Sequence, residues 1–317
     1  MDAQTGDRAA QDRTPIMAKR AFLFPGQGAQ SVGMAVGLCE ALPAAKALFD
    51  QAADVLGYDL LAVCRDGPKE RLDSTAVSQP AIYVASLAAL EQQKVQEPEA
   101  AGECVAAAGL SLGEYTALTF AGALSFADGL RLVQKRGEAM QMASDLRASG
   151  MVSVIGADQA KVQELVDQAS TQGLLRLANF LCPGNLAVSG DRAACDELMR
   201  LAEVAGARAV RLAVAGAFHT PIMQPAVEQL AEALAGVAFT PLRVPVWANV
   251  TAQPYADVSD IPPLLSRQVV EPVRWEETMR GLLAAGVEVF HEIGPGRVLA
   301  GLLKRVHRKA DCRNITA

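Results

Sequence analysis

Short apolar runs alternate with longer amphipathic stretches along this chain, which is the pattern of strands separated by helices. Four apolar runs predict strands: AFLF (21–24), CVAAAGL (104–110), VPVWANV (244–250) and VEVFHEI (287–293). Helical periodicity is found over about 34–97, in the segments between the later strands, and in a terminal segment after the last strand. Strands that are connected by helices favour a largely parallel sheet with helices on its faces. The pattern therefore predicts an α/β protein.

A block with a different order interrupts this pattern at about 149–214. GMVSVIGA alternates like a strand, and a helix, two strands, a second helix and a last strand follow it. The order βαββαβ is that of a ferredoxin-like unit. We therefore expect a hydrolase-like α/β domain in two segments, 20–148 and 215–310, with a ferredoxin-like subdomain, 149–214, inserted between them. The polar residues 1–19 are expected to form a disordered tail.

Composition narrows the function classes without naming one. The chain has 317 residues, 51% of them hydrophobic, and a net charge of −6, which argues against a general nucleic-acid binder. No apolar run approaches the roughly 20 residues that span a bilayer. The six cysteines are scattered and form no CxxC pair, which argues against a disulfide framework and a zinc site, and no HExxH motif occurs in the sequence. No metal and no cofactor are therefore expected. The expected location is the bacterial cytoplasm, with the plastid stroma as the alternative.

The most informative motif is Gly-Leu-Ser-Leu-Gly at 109–113. It follows a predicted strand and precedes a stretch of helix-forming composition, so it has the strand, turn and helix context of a nucleophile elbow. In that context Ser111 is the candidate nucleophile, and the N–H of Leu112 at the helix start would face an oxyanion. The alternative is a structural turn.

A serine nucleophile needs a base, and the chain has three histidines. His307 lies in the basic segment KRVHRK, where a surface role is expected. His219 lies in GAFHTPIM, at the junction of the inserted block and the main sheet, where clefts form. We favour His219 as the base; His291, at the end of a strand, is the alternative.

Two further features complete the candidate site. The loop PGQGAQ after the first strand offers the N–H of Gln27 as a second oxyanion donor, while a phosphate-binding loop is the weaker alternative because the third glycine of GxGxxG is missing. Arg136 lies on the apolar face of its predicted helix, with Val133 and Met140. A guanidinium there requires an anion, either a substrate carboxylate or a structural salt bridge.

Eight motifs in one order give the chain a family resemblance. They cover about residues 20–308 and are, in chain order, FPGQGAQ, GLSLGEY, RGEAM, PGN with VSG, GAFH, NV, RQVVEPVRW and EIGPGRVLAGL. Together they resemble malonyl-CoA:acyl carrier protein transacylases, the acyltransferases that supply malonyl units for fatty-acid synthesis. The resemblance implies the split hydrolase-like architecture expected above. It also implies a ping-pong transfer from malonyl-CoA to the phosphopantetheine thiol of acyl carrier protein through a malonyl-serine.

The resemblance also assigns roles to individual residues. It implies Ser111 as nucleophile, His219 as base, the Gln27 and Leu112 N–H groups as oxyanion donors, and Arg136 as the ligand of the malonate carboxylate. It further implies that the backbone carbonyl of Gln268 orients the histidine, that Phe218 suits a malonyl pocket, and that Met140 and Asn179 contact substrate.

The chain departs from the common family pattern at two places. Leu110 stands where a histidine usually precedes the nucleophile, and the loop NFLCPGN places Leu181 and Asn185 at altered positions. We interpret these differences as marks of a subfamily. A serine thioesterase and a catalytically silent docking module are the competing hypotheses.

The expected partner is acyl carrier protein, which is acidic in general. Lys304, Arg305, Arg308 and Lys309 of the terminal helix could dock it, although a solvated helix end has the same composition. The chain is expected to act as a monomer, without nucleic acid or membrane.

Overall fold

The computed structural model describes residues 18–317, in which the chain forms two β-sheets and thirteen α-helices. In chain order the elements are β1 (Arg20–Phe24), α1 (Val36–Ala41), α2 (Pro43–Leu56), α3 (Leu60–Asp66), α4 (Lys69–Asp73), α5 (Thr75–Gln96), β2 (Cys104–Gly109), α6 (Gly113–Phe120), α7 (Phe126–Asp145), β3 (Ser149–Ile155), α8 (Gln159–Ala169), β4 (Leu175–Cys182), β5 (Asn185–Asp191), α9 (Arg192–Val204), β6 (Arg208–Arg211), α10 (Gln224–Ala235), β7 (Val246–Ala248), β8 (Gln253–Pro254), α11 (Ile261–Gln268), α12 (Trp275–Ala284), β9 (Val289–Ile293), α13 (Val298–Val306) and β10 (Asp311–Ile315).

The larger sheet has six strands in the order β10-β9-β1-β2-β7-β8. All neighbouring strands in it are parallel except β7 and β8. This arrangement confirms the predicted α/β fold with a largely parallel sheet. β1 and β2 lie at the centre in a register that aligns Phe24 with Gly109. The loops that follow these two strands therefore leave the same edge of the sheet, side by side.

Helices cover both faces of this sheet. The core on one face is organised around α5, whose 22 residues are buried over most of their length. α7 packs against α5, and its apolar face carries Leu132, Val133 and Met140 into this core. On the opposite face Trp275 and Met279 of α12 pack with Phe290 of β9. The sheet edge from which the loops after β1 and β2 leave thus lies between two apolar layers.

The smaller sheet is antiparallel, in the order β4-β5-β3-β6. It covers residues 149–211, and α8 and α9 pack on it over a third core that includes Val152, Val166 and Leu198. Two backbone hydrogen bonds join β4 to the segment before α12: Phe180 N–H donates to Val273 O, and Val273 N–H donates to Ala178 O, both at 2.9 Å. These bonds align one strand of the small unit with the edge of the larger domain.

Two strands of the larger sheet were not predicted. β8 is only two residues long, and β10 (DCRNI) alternates exposed and half-buried residues up to Ile315, its one buried residue, so neither strand carries an apolar run. β10 pairs with β9 at the sheet edge, so the second segment of the larger domain extends to Ile315 rather than to 310.

Of the tail predicted at 1–19, residues 1–17 lie outside the described residues. Lys19 belongs to the fold, since its carbonyl accepts from the N–H groups of Glu288 and Val289. In the described part of the chain no helix is long and apolar enough to cross a membrane.

Candidate active site

Ser111 lies on the sharp turn between β2 and α6. Its backbone has a φ of 52°, in the left-handed region that an ordinary side chain rarely adopts. The two flanking glycines allow this turn through close packing: a Cβ on Gly109 would lie 1.9 Å from Gly113 C, and a Cβ on Gly113 would lie 2.1 Å from Phe24 O. Only glycine fits these two positions, and the resulting turn presents the Ser111 hydroxyl at the sheet edge.

Asn249, which follows β7, holds both sides of this turn. Its Oδ1 accepts from Ser111 N–H and its Nδ2 donates to Gly109 O, both at 2.7 Å. Asn249 is 1% exposed, so neither bond competes with bulk water. In the sequence this residue stands out only as part of the motif NV. Its role depends on β7 lying next to β2 in the sheet, which the sequence pattern does not specify.

His219 lies beside the serine on the segment between β6 and α10. Its Nε2 is 2.9 Å from Ser111 Oγ, and its Nδ1 is 2.6 Å from the backbone oxygen of Gln268. A carbonyl oxygen can only accept, so Nδ1 carries the proton and Nε2 presents its lone pair to the serine hydroxyl. Burial, together with the charge of Arg136, lowers the pKa of His219 to about 4. The imidazole is therefore neutral at physiological pH, as a general base must be.

The other two histidines lie elsewhere. His291 is fully buried in β9, with its ring 5.4 Å from that of Phe22 and its Nε2 3.4 Å from Arg20 Nη1. His307 is exposed at the end of α13. The structure thus places His219, and neither His291 nor His307, against Ser111.

Arg136 points from α7 toward the serine and is 1% exposed. Its Nη2 donates to Ser111 Oγ at 3.1 Å and to Gln268 Oε1 at 2.9 Å, and its Nη1 donates to Gln79 Oε1 at 2.6 Å. Because a guanidinium cannot accept, the Ser111 hydroxyl proton is left to point at His219.

No side chain among residues 18–317 forms an ion pair with Arg136 as the expected anion. On the same helix Arg131 and Lys135 form ion pairs with Asp128 and Glu138, whereas Arg136 has no ion pair among residues 18–317. Burial lowers its pKa, but an arginine stays protonated in proteins. A buried cation held by neutral amides, beside a nucleophile, favours an anionic ligand.

Gln27 and Leu112 lie on the two loops that leave the centre of the sheet. Leu110 N–H donates to Phe24 O at 3.0 Å, which joins the serine turn to the start of the Gln27 loop. Leu112 is the residue before α6, so its N–H lies at the positive end of the helix dipole. Among the described residues, neither the Gln27 nor the Leu112 backbone N–H donates to a protein acceptor. Both are available to an oxyanion.

Gln27, Ser111, Arg136 and His219 line a cleft of about 290 Å³ between the two sheets. The predicted contact residues Met140, Asn179 and Phe218 also line it. So do Leu110, Leu181 and Asn185, the positions at which the chain departs from the common family pattern. Asn179 is 9% exposed and its Oδ1 has no partner within the described chain, so it can hydrogen-bond to a ligand. A second cavity of about 540 Å³, near Leu48 and Arg243, contains none of the residues predicted for the site.

Two buried polar residues next to the site were missed by the sequence analysis. Gln79, on α5, bonds Arg136 and also approaches Met140 Sδ at 3.6 Å. Glu114, three residues after the serine, is 1% exposed, and burial raises its pKa to about 7. An acidic residue in the first turn of a helix resembles an ordinary capping residue, so the sequence offers no sign that Glu114 is enclosed.

The predicted docking residues lie at the end of a helix that lines part of the cleft. Lys304, Arg305 and Arg308 are exposed at the C-terminal end of α13, and the same helix contributes Val298 and Leu302 to the cleft lining. A partner bound to this helix end would therefore be near the cleft mouth.

The chain is similar in sequence and in structure to proteins of known family. Residues 21–316 match the acyl transferase domain family. The chain is 42% identical over 295 residues to the malonyl CoA-acyl carrier protein transacylase of Bacillus subtilis, which covers 92% of each protein. It is also similar to the solved transacylase of the same name from Coxiella burnetii, with a TM-score of 0.89, 37% identity and 94% of each chain covered.

A second solved structure includes a carrier protein. It is a malonyl-transacylase in complex with a type II PKS acyl-carrier protein, similar to this chain with a TM-score of 0.89 and 36% identity, covering 94% of this chain and 96% of that one.

Proposed function

The chain belongs to the acyl transferase domain family, and from this premise we propose that it is a malonyl-CoA:acyl carrier protein transacylase that supplies malonyl units for fatty-acid synthesis. The observation that carries the proposal is the position of Ser111 Oγ, 2.9 Å from the base His219 and 3.1 Å from the buried cation Arg136. A nucleophile next to both groups suits an acyl donor that has a free carboxylate. Both acyl carriers are substrates, and the reaction requires no cofactor.

In the first half-reaction Ser111 takes the acyl group from coenzyme A. His219 Nε2 accepts the hydroxyl proton as Oγ bonds to the thioester carbon, and the carbonyl oxygen becomes an oxyanion. The N–H groups of Gln27 and Leu112 stabilise that oxyanion. The tetrahedral intermediate then breaks its C–S bond, and the leaving sulfur takes the proton from Nε2. The product is malonyl-Ser111 with its carboxylate on Arg136.

In the second half-reaction the phosphopantetheine thiol of the carrier protein gives its proton to His219 Nε2. The thiolate bonds to the ester carbon, the C–Oγ bond breaks, and Oγ takes the proton back. The Gln268 carbonyl, which accepts from Nδ1–H at 2.6 Å, keeps the imidazole in the required tautomer in both steps. A neutral carbonyl in place of a triad carboxylate suits a base whose pKa is already low.

Intact-mass spectrometry after mixing with malonyl-CoA tests this proposal. We expect one malonyl adduct on the unmodified protein and none on Ser111→Ala. Ser153→Ala is the matched control, because Ser153 is a second serine lining the same cleft and should leave the adduct unchanged. Absence of an adduct, or an adduct that persists in Ser111→Ala, would contradict the assignment. Release of free malonate that carrier protein does not alter would instead indicate a thioesterase.

The carrier protein is proposed to dock on the C-terminal end of α13. Support comes from the exposed basic residues Lys304, Arg305 and Arg308 on a helix that also lines the cleft, and from the acidic character of such carriers. We place the reaction in a reducing compartment, the bacterial cytoplasm, since all six cysteines are free and five of them are buried.

A further inference from the structure

Glu114 is a buried carboxyl group directly behind the nucleophile turn. Three donors from different parts of the fold surround it. The Tyr255 hydroxyl donates to Oε1, Gln268 Nε2 donates to Oε2 at 2.5 Å, and the backbone N–H of Asn249 donates to Oε2 at 3.2 Å. The Gln268 amide and the Asn249 N–H can only donate, so Oε2 of the carboxyl group acts as an acceptor. A capping role for helix α6 would need none of these side-chain partners.

The contact with Gln268 has a consequence for the whole site. Gln268 Nε2 lies between two acceptors, Glu114 Oε2 at 2.5 Å and Ser111 O at 3.0 Å. Because the amide nitrogen must face these oxygens, the amide oxygen must face the other way. There it accepts from Arg136 Nη2 at 2.9 Å. A rotated amide would present its NH₂ group to a guanidinium, which has no acceptor.

The structure assigns Glu114 as a positioning residue: its carboxylate fixes the side-chain amide of Gln268, which in turn holds Arg136 beside Ser111 in the orientation that receives an acyl carboxylate. This inference rests on the proposed function. Glu114 itself lies behind Gln268, so it acts through that amide and not on substrate. Since acetyl groups have no carboxylate, losing Glu114 should affect malonyl transfer selectively.

Selectivity between malonyl-CoA and acetyl-CoA, measured as kcat/KM for acyl-serine formation, tests the inference. In Glu114→Leu the Gln268 amide loses its main acceptor. We expect the malonyl-to-acetyl ratio to fall by about tenfold or more, the scale of one lost charge-assisted hydrogen bond, with KM for malonyl-CoA rising. Glu114→Gln can still accept from Gln268 and can donate to the Tyr255 oxygen, so it should largely restore the ratio.

Two further variants complete the experiment. Tyr255→Phe is the matched control: it removes one donor to Glu114 but leaves the Gln268 contact, and the ratio should stay near that of the unmodified protein. Glu114→Asp is the alternative if Glu114→Leu does not fold. Its carboxylate is one methylene farther from Gln268, and the ratio should again fall.

The outcomes separate this inference from the proposed function. An unmodified protein that forms no malonyl-serine would overturn the proposed function. If the unmodified protein is active, equal losses for malonyl-CoA and acetyl-CoA in Glu114→Leu, or in Glu114→Asp if Leu does not fold, would overturn the role of Glu114 and indicate a purely structural carboxylate. A Glu114→Gln variant as unselective as Glu114→Leu would overturn it too, because the acceptor would then not be what matters.

Discussion

Replacing Arg136 by alanine tests the substrate class and the site geometry together. Arg136 is 1% exposed, and among the described residues it is held by neutral groups and not by a carboxylate. A malonyl carboxylate would therefore be its first direct ion-pair partner, in a nearly dry site. Removing one member of a buried ion pair costs about 3–5 kcal/mol. At about 1.4 kcal/mol for each factor of ten, malonyl-serine formation should fall by roughly a hundredfold to a few thousandfold.

Acetyl-CoA provides the internal comparison, since it has the same thioester but no carboxylate. Acetyl-serine formation loses no carboxylate contact in this variant, so it should be spared or enhanced relative to malonyl-serine formation. Any effect of losing the hydrogen bonds to Gln79 and Gln268 is common to both substrates and cancels in the comparison. Rapid-quench measurement of both acyl-enzymes gives the two rates. Lys135→Ala is the matched control, because Lys135 is the preceding residue of the same helix and its side chain is 62% exposed. Equal losses for both substrates would refute the carboxylate-binding role of Arg136.

Three other predictions concern the base, the carrier and the serine turn. Burial and the charge of Arg136 lower the pKa of His219 from 6.5 to about 4, and the base acts in its neutral form. We therefore expect kcat/KM for malonyl-CoA to stay constant as the pH falls through 6.5 and to decline only near pH 4. A decline of kcat/KM centred near pH 6.5 would contradict this. The double variant Lys304→Glu, Arg305→Glu should raise KM for acyl carrier protein at low salt and leave malonyl-serine formation unchanged. The control Lys161→Glu, on the small unit, should change neither quantity. An unchanged KM in the double variant would refute docking on the end of α13. Asn249→Ala leaves a buried N–H and a buried carbonyl on the serine turn unpaired, so the free energy of unfolding by urea should fall by about 2–4 kcal/mol. A change under about 1 kcal/mol would show that the turn does not depend on these two hydrogen bonds.

The predicted fold agrees with the structure where the sequence has strong local signals. The strands AFLF and CVAAAG are apolar because they are buried on both faces of the sheet, and this is visible in the sequence. The predicted βαββαβ order of the inserted block agrees with its observed strands. β8 and β10 were missed because they lie toward the sheet edges, where pairing with a neighbour, and not burial, makes a strand.

The candidate site divides in a similar way. Ser111 and Arg136 were identified from local patterns, a glycine-flanked turn and a charge on an apolar helix face. Asn249 and Glu114 carry no such signal, because an amide after a strand and an acid at a helix start are common at surfaces. Their burial results from strand order and from the packing of α11 against the serine turn.

The sequence by itself determined the alternation of strands and helices, the serine turn and the family resemblance, because these depend on neighbours within a few residues. Tertiary structure alone decided that Arg136 is held by amides without an ion pair among residues 18–317, and that Glu114 is enclosed by Tyr255 and Gln268. It also brings His219, which the sequence favoured, against Ser111. Most of these contacts join residues more than a hundred positions apart. Their distances, burial and pKa shifts exist only once the central strands and the inserted unit have packed around one cleft.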